Sequence, residues 1–210
     1  MLLKRRLDQL KQLCPQKGRM LDVGCGLGHF LELARRDGWE AFGTEVSEVA
    51  ARKAGARLGV DIVLGELGDV AVPPDSLEAV CFWDTLEHMT NPRQQLAAAY
   101  RMLKPRGVIA VSTPNVAGFK ARLQRRRWKH FAPASGHIMH FSPRTLSQLL
   151  TQVGFRIAHV ETWGFLNVTC LLGRIPYSVR GLSVLQSLVD RGVGVLGFGE
   201  NLVAYARKPG

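Results

Sequence analysis

The stretch LDVGCGLGHF, residues 21–30, decides the fold of this protein. A short apolar run leads to the carboxylate Asp22, and three glycines then follow at intervals of two: Gly24, Gly26 and Gly28. Glycine-rich loops between a strand and a helix hold nucleotides, because glycine lets the ligand approach the backbone closely. The loop therefore predicts a nucleotide-binding α/β domain and leaves open which nucleotide it holds.

Strand-like and helix-like segments alternate on both sides of this loop. We predict strands at 19–24, 40–46, 60–65, 76–83, 107–115, 155–163 and 200–208, and helices at 29–39, 47–59, 91–105 and 142–154. Ser47 and Ser142 are favourable N-caps, and Gly59 and Gly154 are favourable helix ends. The alternation predicts a Rossmann-like, mostly parallel sheet with helices on both faces. The last segment, ENLVAYARK, is expected to be an edge strand.

The chain length suits a single domain with four parts. These are an N-terminal helix (1–17), a cofactor-binding half (18–112), a basic insertion or lid (113–141) and the C-terminal half of the sheet (142–210), which contains an apolar insertion at 164–198. The start of the chain lacks the apolar run of a signal peptide, and no segment reaches the ~20 apolar residues of a membrane span. We expect a cytoplasmic protein that could contact a membrane at its surface.

Charge is unevenly distributed along the chain. Residues 1–112 carry 15 Lys/Arg and 14 Asp/Glu, whereas residues 113–210 carry 13 and 3, so most of the net charge of +11 lies in the second half. This asymmetry favours either an anionic partner or a solvated basic surface. The four cysteines, Cys14, Cys25, Cys81 and Cys170, have no CxxC spacing, which indicates reduced thiols.

The loop spacing distinguishes between nucleotides. Dinucleotide loops follow GxGxxG, whereas this loop is GxGxG, and GxxxxGK[ST] is absent. Asp22 would repel a pyrophosphate but would attract a ligand with a sulfonium and an ammonium group. Glu45, 21 residues after Gly24, could bind both ribose hydroxyls, although NAD sites use the same position.

Six motifs in order resemble class I, S-adenosylmethionine-dependent methyltransferases, of the broad group that includes the ubiquinone-pathway O-methyltransferases. They are LDVGCGLGHF, GTEVS, GEL (65–67), FWDTLEHM (82–89), LKPRGVIAVSTPN (103–115) and HIMHFSPRTLSQLLTQVGF (137–155). The resemblance covers about residues 18–163 and implies a seven-stranded sheet whose last strand is antiparallel.

The resemblance also implies a cofactor site. Asp22, Gly24, Cys25, Gly26 and Gly28 would line the methionine end of S-adenosyl-L-methionine, together with Trp83 and Asp84. Glu45 would bind the ribose. Val46, Gly65, Glu66 and Leu67 would surround the adenine, with Glu66 standing where the family more often has aspartate.

Histidines are the candidate catalytic residues, because a hydroxyl acceptor needs a general base near neutral pH. His88 follows the fourth strand, and His137 and His140 lie three residues apart before the fifth helix. Each could instead serve in packing. We expect no metal, because the sequence around His137 and His140 offers no carboxylate partner.

The run RLQRRRWKH, residues 122–130, has four arginines, a lysine and a tryptophan. It could clamp a phosphate or carboxylate, with Trp128 stacking on a ring, or it could be a solvated lid.

Three classes of function follow. The first is methyl transfer to an oxygen atom of a small or lipid-linked acceptor, which could be anionic. The second is an S-adenosylmethionine-binding protein without transfer activity. The third is RNA methylation, which the basic half favours but for which no NPPY-like motif or RNA-binding module is present. NAD-dependent oxidation is disfavoured by GxGxG and Asp22. The acceptor and the oligomeric state stay open.

Overall fold

The computed structural model describes residues 2–164 and 197–210. The expected apolar insertion at 164–198 lies almost entirely outside the described residues, as does Cys170. Among the described helices, none is long and apolar enough to cross a membrane.

A single seven-stranded sheet forms the centre of the described structure. Its strands are β1 Arg19–Val23, β2 Glu40–Glu45, β3 Val63–Leu64, β4 Leu77–Trp83, β5 Leu103–Pro114, β6 Arg156–Trp163 and β7 Asn201–Arg207. Their order across the sheet is β3-β2-β1-β4-β5-β7-β6. Neighbours from β3 to β5 are parallel, and β7 is antiparallel to both β5 and β6. The expected Rossmann-like sheet with an antiparallel last strand is confirmed.

Helices cover both faces of the sheet. They are α1 Leu2–Leu13, α2 His29–Arg36, α3 Glu48–Leu58, α4 Pro92–Met102, α5 Phe119–Gln124 and α6 Pro143–Val153. Leu7, Leu10 and Leu31 of α1 and α2 pack in a core on one face. Leu96 and Leu146 of α4 and α6 pack in a second core on the other face. Successive strand residues point to opposite faces, so β1 contributes Met20 to one core and Leu21 to the other.

The C-terminal strand was wrongly expected at an edge. β7 lies between β5 and β6, and Leu202 to Ala206 are all buried. Five consecutive buried side chains need cover on both faces, which an outer strand seldom has. The outer strand is β6, whose first residues are exposed.

Two predicted strands differ in length. The strand expected at 60–65 is limited to Val63–Leu64, at the opposite edge, where it pairs only with β2. β5 begins at Leu103, before the expected residue 107, because Leu103 pairs with Leu77 ahead of an irregularity in the register.

The strand order creates a crevice. From β1 the chain builds outward through β2 to β3, and then returns to place β4 on the other side of β1. In open α/β sheets the ligand lies beyond the carboxyl ends at such a reversal. Val23 of β1 pairs with Phe82 of β4, so the glycine loop and the residues after Trp83 share this edge.

The predicted caps of α3 and α6 are confirmed. Ser47 accepts a hydrogen bond from Ala50 N, and Gly59 ends α3 in a left-handed conformation. Ser142 accepts from Thr145 N, while the Thr145 side chain accepts from Ser142 N, which forms a capping box; Gly154 ends α6.

Replacing the cap of α6 tests this local structure. Ser142→Ala should lower the free energy of unfolding by about 1 kcal/mol, because the first turn loses its side-chain acceptor. Ser147→Ala, inside the same helix, is the matched control and should change it by less than about 0.5 kcal/mol. Chemical denaturation measures both values, and equal losses would show that the cap contributes nothing specific.

Candidate active site

The loop between β1 and α2 has three glycines in left-handed conformations. Gly24, Gly26 and Gly28 have φ angles of 69°, 55° and 72°, which other residues seldom adopt. A Cβ on Gly24 would lie 2.5 Å from Thr85 Cγ2, and one on Gly28 would lie 2.9 Å from Leu58 Cδ1. A Cβ on Gly26 would meet no described atom within 4 Å. Packing therefore requires two of the glycines, whereas Gly26 leaves room for a ligand.

Asp22 is a buried acid beneath this loop. Its side chain is 2% exposed, and Oδ1 receives no hydrogen bond from the described residues. Burial raises the pKa of Asp22 to about 8; the Arg6 charge opposes this rise and the Glu45 charge adds to it. A buried carboxyl group without a donor fits a cationic ligand, so the residues present match the methionine end of S-adenosylmethionine.

Glu45 connects the end of β2 to the glycine loop. Gly26 N donates to Oε2 at 2.7 Å, and Ser47 N donates to Oε1 at 2.9 Å. A carboxylate has about four acceptor positions, so two remain for ribose hydroxyls.

Cys25 is a neutral thiol. Burial, together with the charges of Asp22 and Glu45, raises its pKa to about 12.

The predicted adenine-binding residues surround the ends of β2 and β3. Val46 is 68% exposed, and Glu66 is exposed and accepts a hydrogen bond from Gln95 Nε2 at 2.9 Å. Gly65 has a φ of 138°. The Leu67 side chain is fully buried in the core, so only its backbone is available to a ligand.

Trp83 and Asp84 end β4 beside the glycine loop. The Trp83 ring is buried against Phe30 and Tyr205, at centroid distances of 5.0 and 6.4 Å. Asp84 has a left-handed φ of 54°, and its side chain is about half exposed. A non-glycine residue in this conformation is strained, and such strain occurs frequently at functional sites.

Arg6 holds Asp84 in place, and the sequence analysis missed it. Arg6 Nη2 donates to Asp84 Oδ2 at 2.8 Å and to Ser112 Oγ at 2.9 Å. Its guanidinium group lies 4.8 Å from the Trp83 ring centre. Arg6 lies three residues after Leu3 and four before Leu10, on the apolar face of α1. A charged residue on that face was the signal that could have identified it.

The His88 and His137 rings meet in the region that follows β4. His88 and His137 contact each other edge to face, with centroids 4.7 Å apart. Burial and the neighbouring His88 and His140 lower the pKa of His137, whereas Asp84 raises it. The structure therefore brings the predicted His88 and His137 together. His140 lies farther off, 6.5 Å from His137, and its Nε2 contacts the His130 carbonyl at 3.0 Å.

Glu87 supplies the carboxylate that the sequence analysis did not find near these histidines. Among the described residues, Glu87, His88 and His137 have potential ligand atoms within 4.8 Å of one another. Neither Glu87 oxygen has a well-formed hydrogen bond to the described residues, and burial raises its pKa to about 8. The absence of a carboxylate partner, on which the expectation of no metal rested, therefore does not hold in the folded chain.

The basic run folds as α5 followed by short 3-10 turns. Arg125, Arg126 and Arg127 are exposed, so they are available to an anion. Trp128, however, is only 3% exposed and packs against His130, Phe131 and His140. The suggested stacking of Trp128 on a ligand is therefore wrong, because its ring is used to anchor the segment.

Two glycine variants separate ligand binding from folding. Gly26→Ala should cost about 1 kcal/mol of stability through backbone strain alone, while its Cβ should weaken S-adenosylmethionine binding at least tenfold, about 1.4 kcal/mol. Gly28→Ala should lose a further ~1–3 kcal/mol, because its Cβ collides with Leu58 and Ala54. Thermal denaturation and titration calorimetry measure the two effects. Unchanged affinity in Gly26→Ala would exclude this loop from the site.

The burial of Asp22 predicts a pH-dependent stability. The pKa rises from 3.8 to about 8 on folding, so this contribution is complete below pH 3.8 and is lost as pH rises toward 8. The slope from this group can reach roughly 1.4 kcal/mol per pH unit. Asp22→Asn should flatten the decline between pH 5 and 8 and should weaken cofactor binding. Denaturation curves at several pH values test this, with exposed Asp61→Asn as control; an identical slope in Asp22→Asn would contradict it.

Comparisons with known proteins identify the family to which this chain is related. A family model for a methyltransferase domain matches residues 2–160. A probable S-adenosylmethionine-dependent methyltransferase from Mycolicibacterium smegmatis is 28% identical over 187 residues, which cover 88% of this chain and 68% of that protein. A ubiquinone biosynthesis O-methyltransferase from Azoarcus is 34% identical over 126 residues, which cover 56% of this chain and 53% of that enzyme.

One solved structure extends the agreement to the fold. A S-adenosylmethionine-dependent methyltransferase from Archaeoglobus fulgidus has a TM-score of 0.74 at 22% identity, covering 99% of this chain and 93% of that one. The chain spans about half the length of the ubiquinone enzymes that it matches. The family match, the sheet order and the fit of the glycine loop to its cofactor lead to one conclusion: the chain belongs to the methyltransferase-domain family, with the class I, S-adenosylmethionine-dependent fold.

Proposed function

We propose that this chain transfers a methyl group from S-adenosylmethionine to a hydroxyl oxygen of a small or lipid-linked, anionic acceptor. The observation that carries the proposal is the presence of two kinds of group beyond the carboxyl ends of the strands. Buried carboxyls beneath the glycine loop suit a cationic donor on one side, and His88 and His137 suit a hydroxyl on the other. The ubiquinone biosynthesis O-methyltransferases among the relatives support oxygen as the methylated atom.

The donor side needs little chemistry from the protein. When bound, S-adenosylmethionine supplies a methyl group on a sulfonium that leaves as a neutral thioether. Asp22 and the glycine backbone would hold its amino-acid end, and Glu45 its ribose. Arg6 bonds to Asp84, and its charge lowers the pKa of Asp22 against the effect of the Glu45 charge. Positioning of this kind can supply most of the rate enhancement for an activated donor.

The acceptor side needs a base. A carbonyl only accepts, so the 2.9 Å contact between His88 Nδ1 and Gly136 O places a proton on Nδ1 and leaves Nε2 with a lone pair. By the same argument, His140 donates from Nε2 to His130 O. We therefore assign proton removal to His137 or His88, with His140 holding the segment around them.

The anionic character of the acceptor rests on the basic segment. Residues 113–141 contain no acidic side chain, and Arg125, Arg126 and Arg127 are exposed. Arginine binds carboxylate and phosphate groups through paired hydrogen bonds. The same exposed arginines would suit RNA, so RNA methylation is the second candidate.

A turnover assay with matched acceptors tests the proposal. Release of S-adenosylhomocysteine should be fastest with a carboxylated polyprenyl phenol, slower with a neutral catechol, and absent with transfer RNA. His137→Gln or His88→Gln should lower kcat about 10²–10⁴-fold without changing S-adenosylmethionine binding, because a base acts on the hydroxyl proton. His159→Gln, on β6, is the control variant.

The other outcomes are equally informative. Turnover with RNA alone would replace the acceptor class, and faster turnover of the neutral catechol would remove the anionic acceptor. Tight S-adenosylmethionine binding with no turnover of any acceptor would indicate a binding protein without transfer activity.

A further inference from the structure

His130 lies against His137, although nothing in the motifs marks it as a site residue. The two rings are nearly parallel, at 7°, with centroids 4.8 Å apart, and their Nδ1 atoms are 3.2 Å apart. At this separation one of the two Nδ1 atoms donates a proton to the other. His130 therefore affects which nitrogen of His137 is protonated.

The surroundings of His130 keep it neutral. Its ring packs 4.7 Å from Trp128, and the Trp128 and Phe131 rings cover this part of the segment. Burial is the main reason that the pKa of His130 falls to about 4. The neighbouring Lys129, His137 and His140 lower it further, and the Asp84 charge raises it. A neutral imidazole has one unprotonated nitrogen, so His130 can serve as a hydrogen-bond acceptor for its neighbour.

A second contact favours one direction for this bond. Hydrogen bonding to the His130 backbone raises the pKa of His137, so this contact favours the protonated His137 ring. A protonated His137 carries hydrogens on both ring nitrogens, so its Nδ1 then donates to His130 Nδ1. The same direction in the neutral pair keeps this bond intact when His137 takes up a proton. With Nδ1 protonated, a neutral His137 has its lone pair on Nε2, the nitrogen that does not face His130.

We propose that His130 is a positioning residue that holds His137 in the Nδ1-protonated form, so that His137 Nε2 can accept the proton of the acceptor hydroxyl. The inference rests on the proposed function. In the transfer step the hydroxyl oxygen forms the new bond to the methyl carbon, and the electron pair of the carbon–sulfur bond returns to sulfur. The hydroxyl proton moves to His137 Nε2. The resulting imidazolium donates from Nδ1 to His130, which stays neutral.

Charged and titratable groups from three elements face His137. Asp84, after β4, stabilises the imidazolium, and the edge-on His88 opposes it. His140, from the segment that carries His130, also opposes additional positive charge on His137, and Lys129 opposes it on His130. A carboxyl oxygen of Glu87 lies within 4.8 Å of a ring nitrogen of His137. A neutral hydrogen-bond acceptor suits this position because a second cation would prevent His137 from accepting the proton.

Nitrogen NMR tests the tautomer without any acceptor. Long-range ¹H–¹⁵N spectra of histidine-labelled protein, assigned with single His variants, should show His137 protonated on Nδ1 and free on Nε2 near neutral pH. His130→Phe keeps an aromatic ring but has no nitrogen, so it should shift His137 toward the Nε2-protonated form. A proton on Nε2 in the wild-type protein, or an unchanged pattern in His130→Phe, would overturn the proposal.

Kinetics separate positioning from folding. His130→Phe should lower kcat at least about tenfold and leave S-adenosylmethionine binding unchanged, because only proton transfer is impaired. His130→Asn places an amide oxygen near the position of Nδ1 and should recover most of the activity. His159→Phe is the matched control. Equal losses in His130→Asn and His130→Phe, with both folded by circular dichroism, would contradict a positioning role.

The two proposals fail separately. If no acceptor is methylated but His137 is protonated on Nδ1, the proposed function fails while the inference about His130 stands. If methyl transfer occurs and His137 carries its proton on Nε2, the base is another residue and the inference about His130 fails.

Discussion

The reversal of strand order between β1 and β4 is the constraint on which the rest of the structure depends. The connections that follow β1 and β4 run to opposite sides, so a crevice without a covering helix opens beyond the carboxyl ends of these two neighbouring strands. The glycine loop after β1, Glu45 at the end of β2 and Asp84 after β4 are therefore adjacent without direct sequence proximity. Each provides a different chemical group, so one crevice combines backbone amides, buried carboxyls and a half-exposed acid.

Two acidic side chains in the crevice are buried in surroundings that disfavour their charged forms. Asp22 and Glu87 are both buried, and each has a pKa raised to about 8. Arg6, on the first helix, offsets part of this because its positive charge lowers the pKa of both acids. A buried acid without a donor destabilises its ionised form, and a cationic ligand beside Asp22 would relieve this. Stability and ligand binding therefore make opposing demands on the same side chains.

The segment that carries His137 and the exposed arginines is attached to this crevice by a few hydrogen bonds. The Glu87 carbonyl accepts from Ile138 N and Met139 N at 2.8 and 2.9 Å, and His88 is bonded to Gly136 O. Trp128 anchors the segment that bears the exposed arginines.

The sequence by itself determined the order of the elements, the caps at Ser47 and Ser142 and the glycine loop with Glu45, because periodicity and turn chemistry act over a few residues. Only the tertiary structure decided that β7 is central, that Trp128 is an anchor and that Leu67 offers only its backbone. It also brought Arg6 to Asp84 across 78 residues and stacked His130 on His137. These features depend on which surfaces meet after folding, and local patterns contain no information about a partner that is distant in the chain.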